Sequence, residues 1–189
     1  MIDIKKLYKE HQEAFLRMST RIHQIEEVAL TLINCLKNGN KILIMGNGGS
    51  AGDAQHFAAE LTGRFEINER DPLSAIALTT DTSAITAIAN DFGYEEIFLR
   101  QANAIANHGD VLFGISTSGN SKNIGRVFSD QNFSKCVKIA LTGDNDSTLS
   151  SISDFVVRAS SSSTARVQEL HIFVIHCLCA ILDDEFKRS

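Results

Sequence analysis

His56 and Glu60 stand four residues apart just behind the run Gly46-Asn47-Gly48-Gly49-Ser50-Ala51, and this short stretch supplies both a place for an anion and groups that move a proton. On a helix that spacing puts an imidazole and a carboxylate on one face. The glycines allow a tight turn, and a helix starting there directs its free N–H groups at whatever the turn encloses, which suits a phosphate. Ser50 precedes Asp53 by three residues, the capping-box spacing, so the helix is expected to begin at Ser50. A second run, Ser116-Thr117-Ser118-Gly119-Asn120-Ser121, adds hydroxyl donors that bind phosphate oxygens without the charge of a lysine. The plain alternative is that Ser50 and Ser121 only cap helices and the others only make a turn. Capping and ligand binding are compatible, and two such runs favour phosphate. A third group, Gln168, Glu169, His171 and His176, falls among Val167, Leu170, Ile172, Phe173, Val174, Ile175, Leu178 and Ile181, a segment apolar nearly all round and hence central. One histidine there reads as a satisfied core residue; four polar side chains are costlier to bury, and a functional role is expected for some of them.

These groups need a frame. Ile42 to Met45, bounded by Lys41 and the glycines, reads as a strand buried on both faces. Further strands are expected at 73–78, 111–115, 137–141 and 155–157. Helices are expected at 82–88 (capped by Asp81-Thr82-Ser83), 94–107, 122–129 and 164–186, with a polar loop at 64–70 ending at Pro72 and a capped turn at 144–147. Strands alternating with helices call for a parallel sheet covered on both faces. An order 2-1-3-4-5 would put the first and third strands at the point where the winding reverses, so both hydroxyl runs would meet in one crevice.

Ahead of the first strand, residues 4 to 36 carry Ile4, Tyr8, Phe15, Met18, Ile22, Ile25, Ala29, Leu32 and Leu36 at alternating steps of three and four, with His11 as the polar interruption. This is one long amphipathic helix, or two broken near Ser19-Thr20, ending at Asn38-Gly39. A stripe of that length exceeds what one face of a small sheet covers, so an interface between subunits is favoured over packing on its own domain alone.

At 189 residues, 43% hydrophobic and 22% charged, the chain is expected to form a single domain over 1–189, with 1–38 as an N-terminal helical segment. A net charge of −5 with no basic stripe argues against nucleic acid as partner. Apolar runs of four to six residues and the charged start Met1-Ile2-Asp3-Ile4-Lys5-Lys6 give neither a membrane span nor a signal peptide, which points to the cytoplasm. Cys35, Cys136, Cys177 and Cys179 lie in apolar surroundings and read as reduced core thiols. Gly46 to Ala51 also fits the loose dinucleotide pattern G-x-G-x-x-A, but the candidate ribose acid, Asp81, comes too late, and no lysine follows the glycines as in a P-loop; no nucleotide cofactor is expected.

Taken with His56-Phe57-Ala58-Ala59-Glu60-Leu61-Thr62-Gly63-Arg64 and Arg166-Val167-Gln168-Glu169-Leu170-His171, the two hydroxyl runs resemble the phosphoheptose isomerases of the sugar isomerase (SIS) domain superfamily, with the motifs in the same order from first helix to last. The resemblance implies a three-layer, flavodoxin-like α/β fold with a five-stranded parallel sheet. It also implies a homotetramer with active sites between subunits, and conversion of sedoheptulose 7-phosphate to D-glycero-D-manno-heptose 7-phosphate for bacterial surface glycans. By the same resemblance Ser50, Ser116, Ser118 and Ser121 hold the phosphate with Asn47, Gly48 and Thr117 near it, and Gln168, Arg64 and Asp91 also face the substrate. Glu60 and His176 are the acid/base pair, and His56, Glu60, Gln168 and His176 are the ligands where zinc is bound, one ion per subunit. Some members carry an aspartate where this chain has Ala165. The alternative from another class is a non-catalytic relative that binds the replication initiator DnaA, or a sugar-phosphate sensor.

Overall fold

The computed structural model describes residues 3–188; Met1, Ile2 and Ser189, the ends of the expected domain, lie outside them. Five parallel strands, β1 (Ile42–Gly46), β2 (Ala75–Ala77), β3 (Val111–Ser116), β4 (Val137–Thr142) and β5 (Phe155–Arg158), form one sheet in the order β2-β1-β3-β4-β5. Ile42 pairs with Ala75 on one side and Val111 on the other, and Val111 with Val137. Alternate residues serve opposite faces: Ile42, Ile44, Val111, Phe113 and Ile139 join one core, and Leu43, Met45, Leu112 and Ala140 the other. Two covered faces explain why these strands read as continuous apolar runs.

The helices are α1 (Ile4–Arg17), α2 (Ile22–Lys37), α3 (Gly49–Thr62), α4 (Thr82–Phe92), α5 (Ile97–Ile105), α6 (Lys122–Ser129), α7 (Thr148–Ile152) and α8 (Thr164–Phe186). The first core lies under α2, α3 and α8, the second under α5 and α6. The N-terminal segment is two helices joined by a 3-10 turn at Met18–Arg21. There the Ser19 and Thr20 hydroxyls donate to the Leu16 and Arg17 carbonyls at 2.8 and 2.9 Å, competing with the helical ladder where the break occurs. Phe15 stacks edge-on to Phe173 of α8 at 4.8 Å, and Arg17 donates twice to the Ser160 carbonyl, so α1 packs on its own chain. Yet Ile4, Tyr8, Leu16, Ile22 and Leu30 remain exposed.

Several boundaries differ from the sequence reading. β2 is three residues long, an edge strand with Ile76 open to solvent. α4 runs on to Phe92, where Gly93 at φ 96° stops it. The segment 94–107 divides into a 3-10 turn, Tyr94–Glu96, and α5. The turn at 144–147 leads into α7, with Ser147 and Ser150 as a reciprocal capping box. α8 is long and apolar enough, by length and composition, to cross a membrane. In this fold it is a core helix, packed on α2 and α3 and carrying Asp183, which is buried against Arg70 at 2.5 Å.

Candidate functional site

The loop after β1 is tighter than the sequence suggested. α3 starts at Gly49 with Gly48, at φ 57°, as its N-cap, and Ser50 caps nothing. A capping box at Ser50 and Asp53 is absent because the turn is already closed by backbone bonds: Ser50 N–H donates to the Asn47 carbonyl at 3.0 Å, and Ala51 N–H to that of Gly48 at 3.0 Å. Gly46 has no room for a Cβ, which would meet the Ser50 carbonyl oxygen at 2.4 Å. Ser50 therefore sits buried within the first turn, its hydroxyl unused as a cap.

After β3, Ser121 is the N-cap of α6 by position but its hydroxyl makes no cap bond. It lies 2.8 Å from the Ser116 hydroxyl, whose oxygen accepts the Gly119 N–H at 3.1 Å. The reading of these serines as mere caps thus fails for both Ser50 and Ser121. Thr117 is half-buried and Ser118 exposed, and both line a polar hollow of about 370 Å³ with Asn120, Gly143, Asp144, Ser161 and Thr164. Asp144 and Asp146 in its wall are paired with Arg21 and Arg158, each at 2.7 Å, so their charge is answered.

The loop after β1 leads to His56, Glu60 and His176 along a seam between α3 and α8. Gln168 lies directly against Gly49: a Cβ there would stand 1.9 Å from its amide nitrogen and would push the amide aside. Two turns further along both helices, His56 Nε2 faces His176 Nε2 at 2.9 Å and lies 3.7 Å from Glu60 Oε1. In a neutral pair one imidazole donates its N–H and the other accepts. Phe65 packs on the His176 ring at 5.4 Å between centroids. Asp53, one turn before His56, has a buried Oδ2 with no partner among the described residues. Burial pushes its carboxyl up to about 6 against the opposing pull of His56.

The four polar residues of α8 divide into two uses. Gln168 and His176 face the seam. Glu169 instead accepts from Arg166 and pairs with His11 of α1 at 2.6 Å, while His171 is wholly buried and its Nε2–H donates to the Thr142 carbonyl at 3.1 Å. Burial holds the His171 imidazole neutral, with its pKa lowered to about 4. Arg64 and Asp91 are exposed and, among the described residues, bond only locally, to the Phe65 carbonyl and to Asn90, so none of these bonds brings them to the loops. Cys35, Cys136 and Cys179 are buried free thiols and Cys177 is half-buried. Burial pushes the Cys35 and Cys179 thiols up to about 11 and about 12, so they are inert.

A family model for the SIS domain matches residues 7–143. The phosphoheptose isomerase of Helicobacter pylori is 48% identical over 192 residues, spanning the whole of both chains. Among solved structures, the phosphoheptose isomerase of Neisseria gonorrhoeae matches with a TM-score of 0.89 at 40% identity, over 96% of this chain and 97% of that one. That of Francisella tularensis matches at 0.91 and 37%, over 96% of each.

The chain belongs to the phosphoheptose isomerase family of SIS domains. Within that family frame, Asn123, Tyr94 and Phe65 are site neighbours that sequence reasoning missed. Asn123 left a signal: it stands four residues before Val127 on the apolar stripe of α6, where a buried amide demands a partner. Tyr94 and Phe65 left none, since each reaches the site from a loop whose path only the fold sets.

Proposed function

We propose that the protein is an aldose–ketose isomerase converting D-sedoheptulose 7-phosphate to D-glycero-D-manno-heptose 7-phosphate through an enediol, in heptose biosynthesis. The observation that carries this reading is the seam: one pair of helices runs from the hydroxyl-bearing loop after β1, past Gln168, to two imidazoles 2.9 Å apart with a carboxylate 3.7 Å from one of them. The phosphate would be held by Ser50, Ser116, Ser118 and Ser121 with Asn47, Gly48 and Thr117, and the sugar would extend toward Gln168. Glu60 takes a proton from C1 of the ketose as the C1–C2 double bond forms and the C2 carbonyl oxygen gains a proton. His176 moves protons at the two oxygens, O2 having gained one and O1 losing one as C2 gains a proton from the protonated Glu60 carboxyl. The opposite assignment of Glu60 and His176 balances equally well. Phe65 shields one face of His176 from water.

Zinc, one ion per subunit, belongs to the same proposal. His56, Glu60, Gln168 and His176 offer two imidazole nitrogens, a carboxylate and an amide oxygen, a donor set suited to it. Two facing Nε2 atoms at 2.9 Å share one proton that a cation can replace. The fit is one of chemistry and needs that hydrogen bond to open, since among the described residues no three His, Cys, Asp or Glu side chains already stand grouped to hold a metal. When bound, the ion polarises the substrate carbonyl. We further propose a cytoplasmic homotetramer with sites between subunits. The exposed apolar side chains of α1 and α2 and a groove of about 400 Å³ lined by Phe15, Leu16, Met18, Ile22, Phe173 and Ile181 support it, and exposed Arg64 and Asp91 would then face a neighbour's site.

The test is incubation of the pure protein with sedoheptulose 7-phosphate, with and without a chelator, following the aldoheptose phosphate by NMR. Turnover is expected; its loss with chelator and return with zinc would support the ligand set. No turnover even with added zinc overturns the reading.

A further inference from the structure

Asn123, in the first turn of α6, is 2% exposed. An amide that deep needs its hydrogen bonds made inside the protein. It makes them with one other side chain: its Oδ1 accepts from Asn47 Nδ2 at 2.9 Å and its Nδ2 donates to Asn47 Oδ1 at 2.8 Å. The Ile124 backbone N–H donates to the same Asn123 Oδ1 at 3.0 Å, and the Tyr94 hydroxyl donates to Asn47 Oδ1 at 2.8 Å.

A backbone N–H can only donate. Ile124 therefore decides which end of the Asn123 amide is oxygen, and the reciprocal pairing passes that decision on to Asn47. The Asn47 oxygen is turned inward and used twice. Among the described residues, what its side chain has left is one N–H hydrogen. An anion arriving at the loop after β1 meets a donor there and not a carbonyl lone pair.

We propose that Asn123 is a positioning residue for phosphate: it ties the loop after β1 to the first turn of α6, directly behind the serine run, and sets the polarity that Asn47 presents. Tyr94 assists by holding the Asn47 oxygen. The proposal rests on the sugar-phosphate reading of the site. It does not require Asn123 to touch the ligand, because its own amide is spent on Asn47 and Ile124.

The experiment measures the KM for sedoheptulose 7-phosphate, and the Kd of inorganic phosphate by calorimetry, for the full chain and for Asn123→Leu and Tyr94→Phe. Loss of a buried amide pair predicts that KM and Kd rise together, on the order of tenfold in Asn123→Leu and about twofold in Tyr94→Phe, with kcat within about threefold of the parent. A merely structural role lowers the melting temperature and the active fraction but leaves KM and Kd in place, and that result overturns the proposal. Should Asn123→Leu fail to fold, Tyr94→Phe decides alone, since its hydroxyl is on an exposed side chain: unchanged KM and Kd overturn it. A parent protein that neither turns over the sugar nor binds phosphate sinks the reading of the site, and the proposal with it, a failure distinct from that of the variants.

Discussion

The serine loops and the His56–Glu60–His176 cluster are built in opposite ways. In the loops several polar side chains are tied to one another: Ser116 to Ser121 and Gly119, Asn47 to Asn123 and Tyr94. In the cluster the side chains meet chiefly one another, at a solvent edge where His56 and Glu60 are 40% and 23% exposed. A phosphate is the same in substrate and product, so its site gains from being rigid and binds both alike. A group that must gain and lose a proton is poorly served by a fixed partner that pins its charge. The difference therefore separates holding from chemistry, and substitutions should split along it.

The largest effect is expected from Glu60→Gln. It keeps shape and removes the proposed acid/base carboxylate, so kcat should fall by about 10² to 10⁴ while the Kd of inorganic phosphate stays where it was. NMR turnover and calorimetry on one preparation give both numbers. A comparable loss of phosphate affinity would show that the two regions act as one, and substantial residual turnover would remove Glu60 from the chemistry.

A smaller effect, on the frame of the cluster, follows from Arg70→Met. Arg70 donates to the Glu60 and Leu61 carbonyls at 2.7 and 2.9 Å and binds Asp183 at 2.5 Å, and the Asp183 carboxylate also accepts from the Glu66 and Ile67 N–H groups. This closes the far end of α3, where the chain turns toward Phe65. Removing the guanidinium strands a buried carboxylate, which costs about 3–5 kcal/mol and lowers the melting temperature on the order of 10 °C. Below that temperature kcat should drop while phosphate affinity holds. Equal stability by urea unfolding would mean that Asp183 finds other partners.

Much of this division was legible in the sequence, and the exceptions have physical causes. The alternation of strands and helices, the spans of α6 and α8 and the shared face of His56 and Glu60 follow from apolar period and spacing, which act locally, whereas the sheet order entered only as a supposition that the fold bears out. The start of α3 was misread because Ser50 and Asp53 match a capping box, whereas Gly48 closes the turn through backbone bonds that need no side chain. The partition of α8 was hidden for another reason. Gln168 and Glu169 are neighbours in the chain, but which one faces Gly49 and which faces His11 depends on how the helix is rotated against α1 and α3. The roles of Tyr94 and Asn123 depend likewise on where the 3-10 turn before α5 and the first turn of α6 meet the loop after β1.

His171 gives the subtlest test, because it lies on α8 between Gln168 and His176 yet belongs to neither region. Its ring is sealed in the core, with Nε2–H on the Thr142 carbonyl at the end of β4 and Nδ1 without a partner among the described residues. Burial lowers its pKa to about 4, against about 6.5 in an unfolded chain. The unfolded state therefore takes up a proton that the folded state refuses, and stability contributed by the neutral ring is full above pH 6.5 and drains away as pH falls toward 4. By pH 4.5 the loss from this one group should be roughly 2 kcal/mol. His171→Gln keeps an N–H for the Thr142 carbonyl and cannot titrate. Urea unfolding of both proteins at pH 7.5, 6.5, 5.5 and 4.5 should show the parent losing more stability than the variant across that window. Parallel losses would mean that the core admits the charged ring, and would make His171 a candidate for proton traffic along the seam after all.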